Sequence, residues 1–164
     1  MKSDKIVRCL QLIDRLHQQG YAPNNILDMG CGSGILAVAA AKLWRVPTVA
    51  VDIEDDAKVL TDQHAVSNDV ETYIHSYVGD GFKTYAVQQI EYFDFIIANI
   101  LPVVLKPMAP ELYPYLNKGG YLILSGILHE QVHNVHDVYD NLGLKLKNQI
   151  EVGEWASLLY QKPQ

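Results

Sequence analysis

The residues best suited to chemistry form a short glycine-rich stretch, Asp28-Met29-Gly30-Cys31-Gly32-Ser33-Gly34. The apolar pair before it, Ile26 and Leu27, predicts a strand, and the alanine-rich residues 35–41 after it predict a buried helix. Glycine has no Cβ, so the backbone can turn sharply there and a ligand can approach it closely. Because free N–H groups at the start of a helix favour a negative group, the stretch predicts a site for a small molecule with an anionic end.

Three further polar residues follow later apolar segments in the same way. Asp52 comes after residues 48–51, Asp80 lies between two glycines after a β-rich segment, and Asn99 follows residues 93–98. In a parallel sheet the carboxyl ends of the strands meet at one edge, and ligands bind there. We therefore expect these side chains to lie beside the glycine-rich stretch, around one ligand.

Spacing and charge narrow the choice of ligand. Gly30, Gly32 and Gly34 lack the two-residue gap that the dinucleotide pattern needs before its third glycine. Asp28 would repel a pyrophosphate but suits an ammonium group, and Asp52 is placed to accept hydrogen bonds from ribose hydroxyls. Asp80 can accept a hydrogen bond from the exocyclic amine of a purine. S-adenosylmethionine has an amino-acid end, a ribose and an adenine, and its sulfonium cation tolerates an acidic site, so it fits all three acids.

Each of these residues also has a structural interpretation, which the sequence leaves open. The three glycines can serve a tight turn alone. Asp28 can accept hydrogen bonds from neighbouring backbone, and Asp52 and Asn99 can cap the helices that follow them. Asp80 between two glycines is typical of a turn.

The elements that position these residues alternate between helices and strands. Helices are predicted over residues 4–19, 35–44, 54–67, 84–89, 102–116 and 128–141, with Pro107 and Pro110 as candidate breaks in the fifth. Strands are predicted from residue 26 and over residues 48–52, 72–78, 93–98, 121–125, 144–151 and 155–161. The short connection at Gly153 requires the last two strands to pair antiparallel. The expected fold is α/β, a Rossmann-like doubly wound seven-stranded sheet, mostly parallel with one antiparallel strand near the C-terminus.

Length and composition fit a single domain over residues 1–164, with an N-terminal helix over 1–20 and a sheet core over 24–161. The net charge of −6 disfavours nucleic acid as the main partner. Only Cys9 and Cys31 are present, so no disulfide framework is predicted. Charged residues interrupt the start, and no apolar run is long enough to cross a bilayer, so we expect a cytoplasmic protein without membrane contact. The sequence does not predict an oligomeric state.

The sequence resembles the class I S-adenosylmethionine-dependent methyltransferases, whose first motif is acid-x-Gly-x-Gly-x-Gly, complete here over residues 28–34. Within that class it is most similar to the PrmA family, the methyltransferases of a large-subunit ribosomal protein. The similarity covers roughly residues 5–161. It is carried by residues 27–37, 51–53, 98–101, 119–128 with 130–131, and 154–155.

The resemblance implies a methyltransferase that uses S-adenosylmethionine to N-methylate amino groups, a lysine side chain or an N-terminal amine, of a ribosomal protein. In the implied catalytic set, Asn99 and the Ile100 carbonyl accept hydrogen bonds from the amine. Leu101 and Pro102 loosely resemble the tail of the Asn-Pro-Pro-aromatic motif of amide and adenine methyltransferases. Ten residues are expected to bind the cofactor: Asp28, Gly30, Cys31, Gly32, Gly34, Asp52, Ile53, Asp80, Gly81 and Asn99.

Two departures from the family keep alternatives open. The family has a separate N-terminal domain that docks the ribosomal substrate, and a segment with Thr and His just before the first helix; we expect neither in this chain. The same fold could therefore act on another acceptor, such as a protein amide, a nucleic-acid base or a small molecule. A cofactor-binding module without catalysis is a further alternative.

Residues 129–133 match the zinc-protease motif H-E-x-x-H. On a helix, His129 and His133 would share a face. His136 lies too close in sequence to be the usual third ligand, and the metal motif has no use for the glycine-rich stretch. We therefore expect no metal site.

Overall fold

The computed structural model describes residues 2–164, with side chains described from Lys5 onward. The predicted N-terminal helix over 1–20 is observed over 2–18, and residue 1 lies outside the described residues. The helices are α1 (Lys2–Gln18), α2 (Ile35–Trp44), α3 (Asp55–Ser67), α4 (Tyr85–Gln88), α5 (Pro102–Leu112) and α6 (Val132–Asn141). The strands are β1 (Ile26–Met29), β2 (Thr48–Asp52), β3 (Ile74–Val78), β4 (Phe93–Asn99), β5 (Leu116–Leu128), β6 (Lys145–Val152) and β7 (Trp155–Gln161).

The seven strands form one sheet in the order β3-β2-β1-β4-β5-β7-β6. The first five strands pair in parallel. Strand β7 runs antiparallel to both of its neighbours, β5 and β6. The predicted fold is thus confirmed, including the single reversed strand near the C-terminus.

The helices cover both faces of the sheet because the central strands are apolar on both sides. In β4, Phe95 and Ile97 pack with α1 and α2, whereas Ile96 and Ala98 pack with α5 and α6 on the opposite face. All four of these side chains are fully buried. Helix α2 is rich in alanine, which lets it pack closely against both the sheet and α3. Within the described residues, no helix is long and apolar enough to span a bilayer.

Several predicted boundaries were wrong: the fifth helix ends at Leu112 and not at 116, and neither candidate proline break within it occurs. Helix α5 continues through Pro107 and Pro110, because the carbonyls that lose a donor belong to Val103 and Lys106, which are exposed. Strand β5 starts at Leu116, since the turn at Gly119 is accommodated within the strand. The predicted helix over 128–141 begins as a 3₁₀ turn, and α6 itself starts at Val132.

Candidate functional site

The glycine-rich stretch forms a loop between β1 and α2 that is tied to the neighbouring strand. The backbone amides of Gly30 and Cys31 both donate to the carbonyl of Val51 in β2, at 2.8 and 2.9 Å. The glycines at 30, 32 and 34 have φ of 74°, 54° and 81°, the left-handed region that disfavours other residues.

The three glycines have different surroundings, which shows what each one does. A Cβ on Gly30 would overlap the side chain of Ile100, and a Cβ on Gly34 would lie 2.7 Å from the Thr61 hydroxyl. A Cβ on Gly32 would meet nothing within 4 Å. Gly30 and Gly34 therefore permit close packing, whereas Gly32 leaves open space above the loop where a ligand can approach the backbone.

Asp52, at the end of β2, is fixed by the backbone around it. Its Oδ2 accepts a hydrogen bond from the Gly32 amide at 2.9 Å, and its Oδ1 accepts one from the Glu54 amide at 3.0 Å. Each carboxylate oxygen can accept a second hydrogen bond. Glu54, not Asp52, occupies the N-cap position of α3, so the capping interpretation of Asp52 is wrong. The carboxylate is held in place and keeps acceptor capacity toward the solvent side.

Two clefts meet at Asp52 on this edge of the sheet. The first cleft, about 510 Å³, is bounded by the glycine loop, the start of α1 and the end of β4. The second cleft, about 420 Å³, is bounded by the ends of β2 and β3 and by α5. Both are lined by Gly30, Asp52, Ile100 and Leu101. An elongated ligand centred on Asp52 can therefore place one end in each cleft.

The second cleft contains the remaining residues predicted from the third strand. Ile53, Asp80 and Gly81 all line it. Asp80 is exposed, and its side chain does not cap the 3₁₀ turn that follows it. Val104 and Met108 of α5 supply the opposite, apolar wall. The arrangement suits a flat, mostly apolar group with a polar edge that faces a carboxylate.

Asn99 lies in the first cleft, at the end of β4. Helix α5 has Leu101 at its N-cap position, so the interpretation of Asn99 as a helix cap is wrong. Gly126 of β5 packs against this segment: a Cβ on it would lie 2.9 Å from the Ile100 carbonyl oxygen and 3.3 Å from Asn99 Oδ1. These two oxygens thus lie close together beside the cleft, and both are hydrogen-bond acceptors.

Asp28 is brought to the loop but lines neither cleft. It is 1% exposed, and its Oδ2 accepts a hydrogen bond from the Ala37 amide in the first turn of α2 at 3.1 Å. Among the described residues, its Oδ1 has no hydrogen-bond partner. Burial, partly offset by the Ala37 amide, raises the pKa of Asp28 to about 7. Asp28 therefore caps α2 beneath the loop, and direct contact with a ligand stays a prediction.

Cys31 lines the first cleft, but its thiol is not an activated nucleophile. Burial, together with the nearby Asp28 carboxylate, raises the pKa of the thiol to about 12. Its Sγ lies 3.5 Å from the Thr61 hydroxyl. Cys31 therefore contributes a small side chain to the lining of the first cleft.

Sequence reasoning missed several residues of the first cleft, among them Lys5 and Gly126. Lys5 belongs to α1 and Gly126 to β5, far from the glycine loop in sequence. The sequence patterns of α1 and β5 predicted a helix and a strand but indicated no role in the site for these two residues. The resemblance over residues 119–128 included Gly126 but gave it no role.

The histidines of the H-E-x-x-H sequence do not converge. His129 lies in the 3₁₀ turn and is 3.0 Å from Glu151, whereas His133 lies in α6 and is 3.3 Å from Asp137. Across the described part of the chain, no group of three or more His, Cys, Asp or Glu side chains could hold a metal ion.

Residues 6–163 match the family model described as ribosomal protein L11 methyltransferase (PrmA). A ribosomal protein L11 methyltransferase from Allorhizobium ampelinum is 39% identical over 153 residues, which are 93% of this chain and 52% of that protein. A second, from Brucella suis, is 35% identical over 92% of this chain and 52% of its own length. The chain thus spans about half the length of these relatives.

The fold is also similar to those of solved methyltransferase structures. The crystal structure of a ribosomal protein L11 methylase from Lactobacillus delbrueckii subsp. bulgaricus superposes with a TM-score of 0.87 and 26% identity, over 98% of this chain and 80% of that one. An RNA methyltransferase from Salinibacter ruber, in complex with S-adenosylhomocysteine, shares the fold at a TM-score of 0.70 and 16% identity, over 94% and 92% of the two chains. On the family match and the relatives' identity, the chain belongs to the ribosomal protein L11 methyltransferase (PrmA) family.

Proposed function

We propose that the two clefts bind S-adenosylmethionine and that the chain transfers its methyl group to an amino group of a ribosomal protein. The observation that carries the proposal is the meeting of the clefts at Asp52, whose two oxygens are held by backbone amides of Gly32 and Glu54. The ribose hydroxyls would donate to this carboxylate. The adenine would occupy the second cleft and the amino-acid end the first.

The residues present fit that ligand in shape and charge. The space above Gly32 allows the ligand to approach the loop backbone. The apolar wall of Val104 and Met108 suits a purine face, and Asp80 can accept from the purine's exocyclic amine. The carboxylates of Asp52 and Asp80 also suit a cationic ligand.

Bound S-adenosylmethionine supplies an electrophilic methyl group on its sulfonium. The protein contributes position: Asn99 Oδ1 and the Ile100 carbonyl can accept hydrogen bonds from an incoming amine and direct its lone pair into the cleft. Neither group is a base, so the amine must lose its proton to solvent before transfer. Leu101, 58% exposed at the junction of the clefts, would contact the acceptor.

Membership of the family supports a ribosomal protein, L11, as the acceptor. The presence of the acceptor oxygens at the end of β4 supports an amino group as the nucleophile. A ribosomal substrate would place the protein in the cytoplasm.

The test is transfer of labelled methyl from S-adenosylmethionine to purified L11, with the modified residues identified by mass spectrometry. We expect label on lysine side chains or the N-terminal amine, and a rate of labelling lower by roughly a hundredfold or more with Asn99→Ala. Label on a carboxamide, or on RNA and not protein, would contradict the proposed acceptor. Binding of S-adenosylmethionine without transfer to any acceptor in a ribosomal extract would contradict catalysis.

A further inference from the structure

Lys5, in the first turn of α1, reaches the mouth of the first cleft. It lines this cleft together with Gly32 and Ser33 of the glycine loop. Its ammonium nitrogen lies 3.7 Å from the centre of the Trp155 ring, at the start of β7. Helix α1 packs against β5, β7 and α2, so Lys5 is carried by a helix anchored in the core.

The charges around the first cleft are unbalanced. Its wall contains two carboxylates, Asp52 and Glu54, and Lys5 is the only cationic side chain among the described residues that line it. Asp52 is already held by the loop and α3 amides. Within the described part of the chain, no carboxylate lies within 4 Å of the Lys5 nitrogen, and the Trp155 ring is its charge-stabilising contact.

We infer that Lys5 is the anion-binding residue of the first cleft and pairs with the α-carboxylate of the ligand's amino-acid end. The inference rests on the proposed function, because it takes S-adenosylmethionine as the ligand. Ser33, Ile35 and Leu36 line the cleft at the start of α2, and their backbone amides donate to no described residue. Lys5 lines the same cleft and offers a full positive charge. A carboxylate bound in this cleft can be contacted by both.

Trp155 makes this arrangement measurable. A cation over an indole ring alters the emission of that ring, and a bound carboxylate would compete with the ring for the ammonium. The chain has two tryptophans, and Trp44 is part of the core near Tyr21 and Phe95. A ligand-dependent change in emission that disappears in Trp155→Phe would therefore report on the Lys5 contact.

The experiment measures affinity, not turnover. Wild type, Lys5→Met and Lys5→Arg are titrated by calorimetry with S-adenosylhomocysteine and with 5′-methylthioadenosine, which keeps the adenine and ribose but lacks the amino-acid end. Lys5→Met should weaken S-adenosylhomocysteine by roughly tenfold to a hundredfold, the range for a lost hydrogen bond between charged groups, and change 5′-methylthioadenosine by less than about twofold. Lys5→Arg should retain most of the affinity. Lys147→Met, an exposed lysine on β6, is the matched control and should match wild type with both ligands.

The outcomes separate this inference from the proposed function. Equal weakening of both ligands by Lys5→Met, or no weakening of either, would overturn the role of Lys5 while leaving the cofactor assignment intact. Failure of wild type to bind either ligand would overturn both. Loss of the emission change in Trp155→Phe and in Lys5→Met, but not in Lys147→Met, is the further expected result, and its persistence in Lys5→Met would also count against the inference.

Discussion

The two edges of the sheet carry similar polar residues but use them differently. At the amino edge, Asp94 accepts hydrogen bonds from the Asn24 amide at 2.7 Å and from the Asn117 side chain at 2.9 Å. Its own amide donates to Asn25, and its carbonyl accepts from the Tyr21 hydroxyl at 2.6 Å. Every polar group of Asp94 is engaged by the protein, so this edge is a structural clamp that ties β1, β4 and β5 together.

At the carboxyl edge the same residue types keep unused capacity. Asp52, like Asp94, accepts one hydrogen bond at each carboxylate oxygen, whereas no described residue donates a hydrogen bond to Oδ1 of buried Asp28. The side chains of Asp80 and Asn99 form no hydrogen bond with any described residue. Because buried polar groups are normally satisfied, the unpaired oxygen of Asp28, together with the acceptors of Asp80 and Asn99, supports the proposal that this edge and not the clamp binds a ligand.

The largest effect is expected where the unused acceptor faces the reacting amine. Asn99→Ala should lower methyl transfer by roughly a hundredfold to a thousandfold, because the amine loses its orienting partner. Binding of S-adenosylmethionine should change by less than about threefold, as measured by calorimetry beside the rate assay. Asn117→Ala is the clamp counterpart: it should lower thermal stability and leave the rate per folded molecule unchanged. Equal rates for Asn99→Ala and wild type would contradict the role of Asn99 in orienting the amine.

Asp28 gives the next effect, on stability rather than rate. Its folded pKa of about 7 lies above the ordinary value of 3.8, so the native state holds a proton that the unfolded state releases between those values. The free energy of unfolding should therefore fall as pH rises from about 4 to about 7. Asp28→Asn should remove that fall and be more stable at pH 8 by on the order of a few kcal/mol.

The measurement is urea unfolding of wild type and Asp28→Asn at several pH values. The difference between the two curves isolates Asp28, since histidines and other groups titrate equally in both proteins. Parallel curves across pH 4 to 8 would mean that Asp28 is ionised in the folded state throughout.

Asp52 and Asp94 form a matched pair of carboxylates at opposite edges. Asp52→Ala should weaken S-adenosylmethionine by roughly tenfold to a hundredfold, because the ribose loses charge-assisted hydrogen bonds. It should also lower the free energy of unfolding about as much as Asp94→Ala does, since the Gly32 and Glu54 amides lose their acceptor. Asp94→Ala should cost about 2 kcal/mol of unfolding free energy and leave affinity within about twofold. A loss of affinity in Asp94→Ala but not in Asp52→Ala would contradict the roles given to the two edges.

The smallest effect concerns Gly126. Its φ of 80° and the Ile100 carbonyl beside it both oppose a side chain, whereas Gly20, with φ of 86°, has open space around it. Both alanine variants should lose about 1 kcal/mol of stability from backbone strain. Only Gly126→Ala should also slow methyl transfer, by roughly threefold to tenfold, because the added Cβ displaces the acceptor carbonyl. Equal rates of methyl transfer for the two variants would contradict a role for Gly126 in the site.

The sequence predicted which residues lie at the carboxyl edge because these residues follow uninterrupted apolar strands. The strand pattern alone set the positions of Asp52 and Asn99 at the sheet edge, and the alternating glycines set the loop. Burial of Asp28 could not be predicted in the same way, since it depends on how α2 packs over β1. Lys5 and Gly126 reach the first cleft only through the fold, and no local pattern distinguishes them from other helix lysines and strand glycines.

Helix boundaries failed for a related reason. Proline weakens a helix locally, but the burial of Leu105, Ala109 and Leu112 against the sheet holds α5 together through both prolines. The stabilisation from this packing against the sheet cannot be predicted from the local sequence of residues 102–112.

The most direct test of the account is a calorimetric titration of the wild-type chain with S-adenosylmethionine and, separately, with NAD. The open space above Gly32, the carboxylate of Asp52 at the meeting point of the two clefts and the glycine spacing together predict saturable binding of one S-adenosylmethionine per chain and no binding of NAD. Binding of NAD, or no binding of S-adenosylmethionine, would contradict the claim that the unused acceptors of the carboxyl edge form its site.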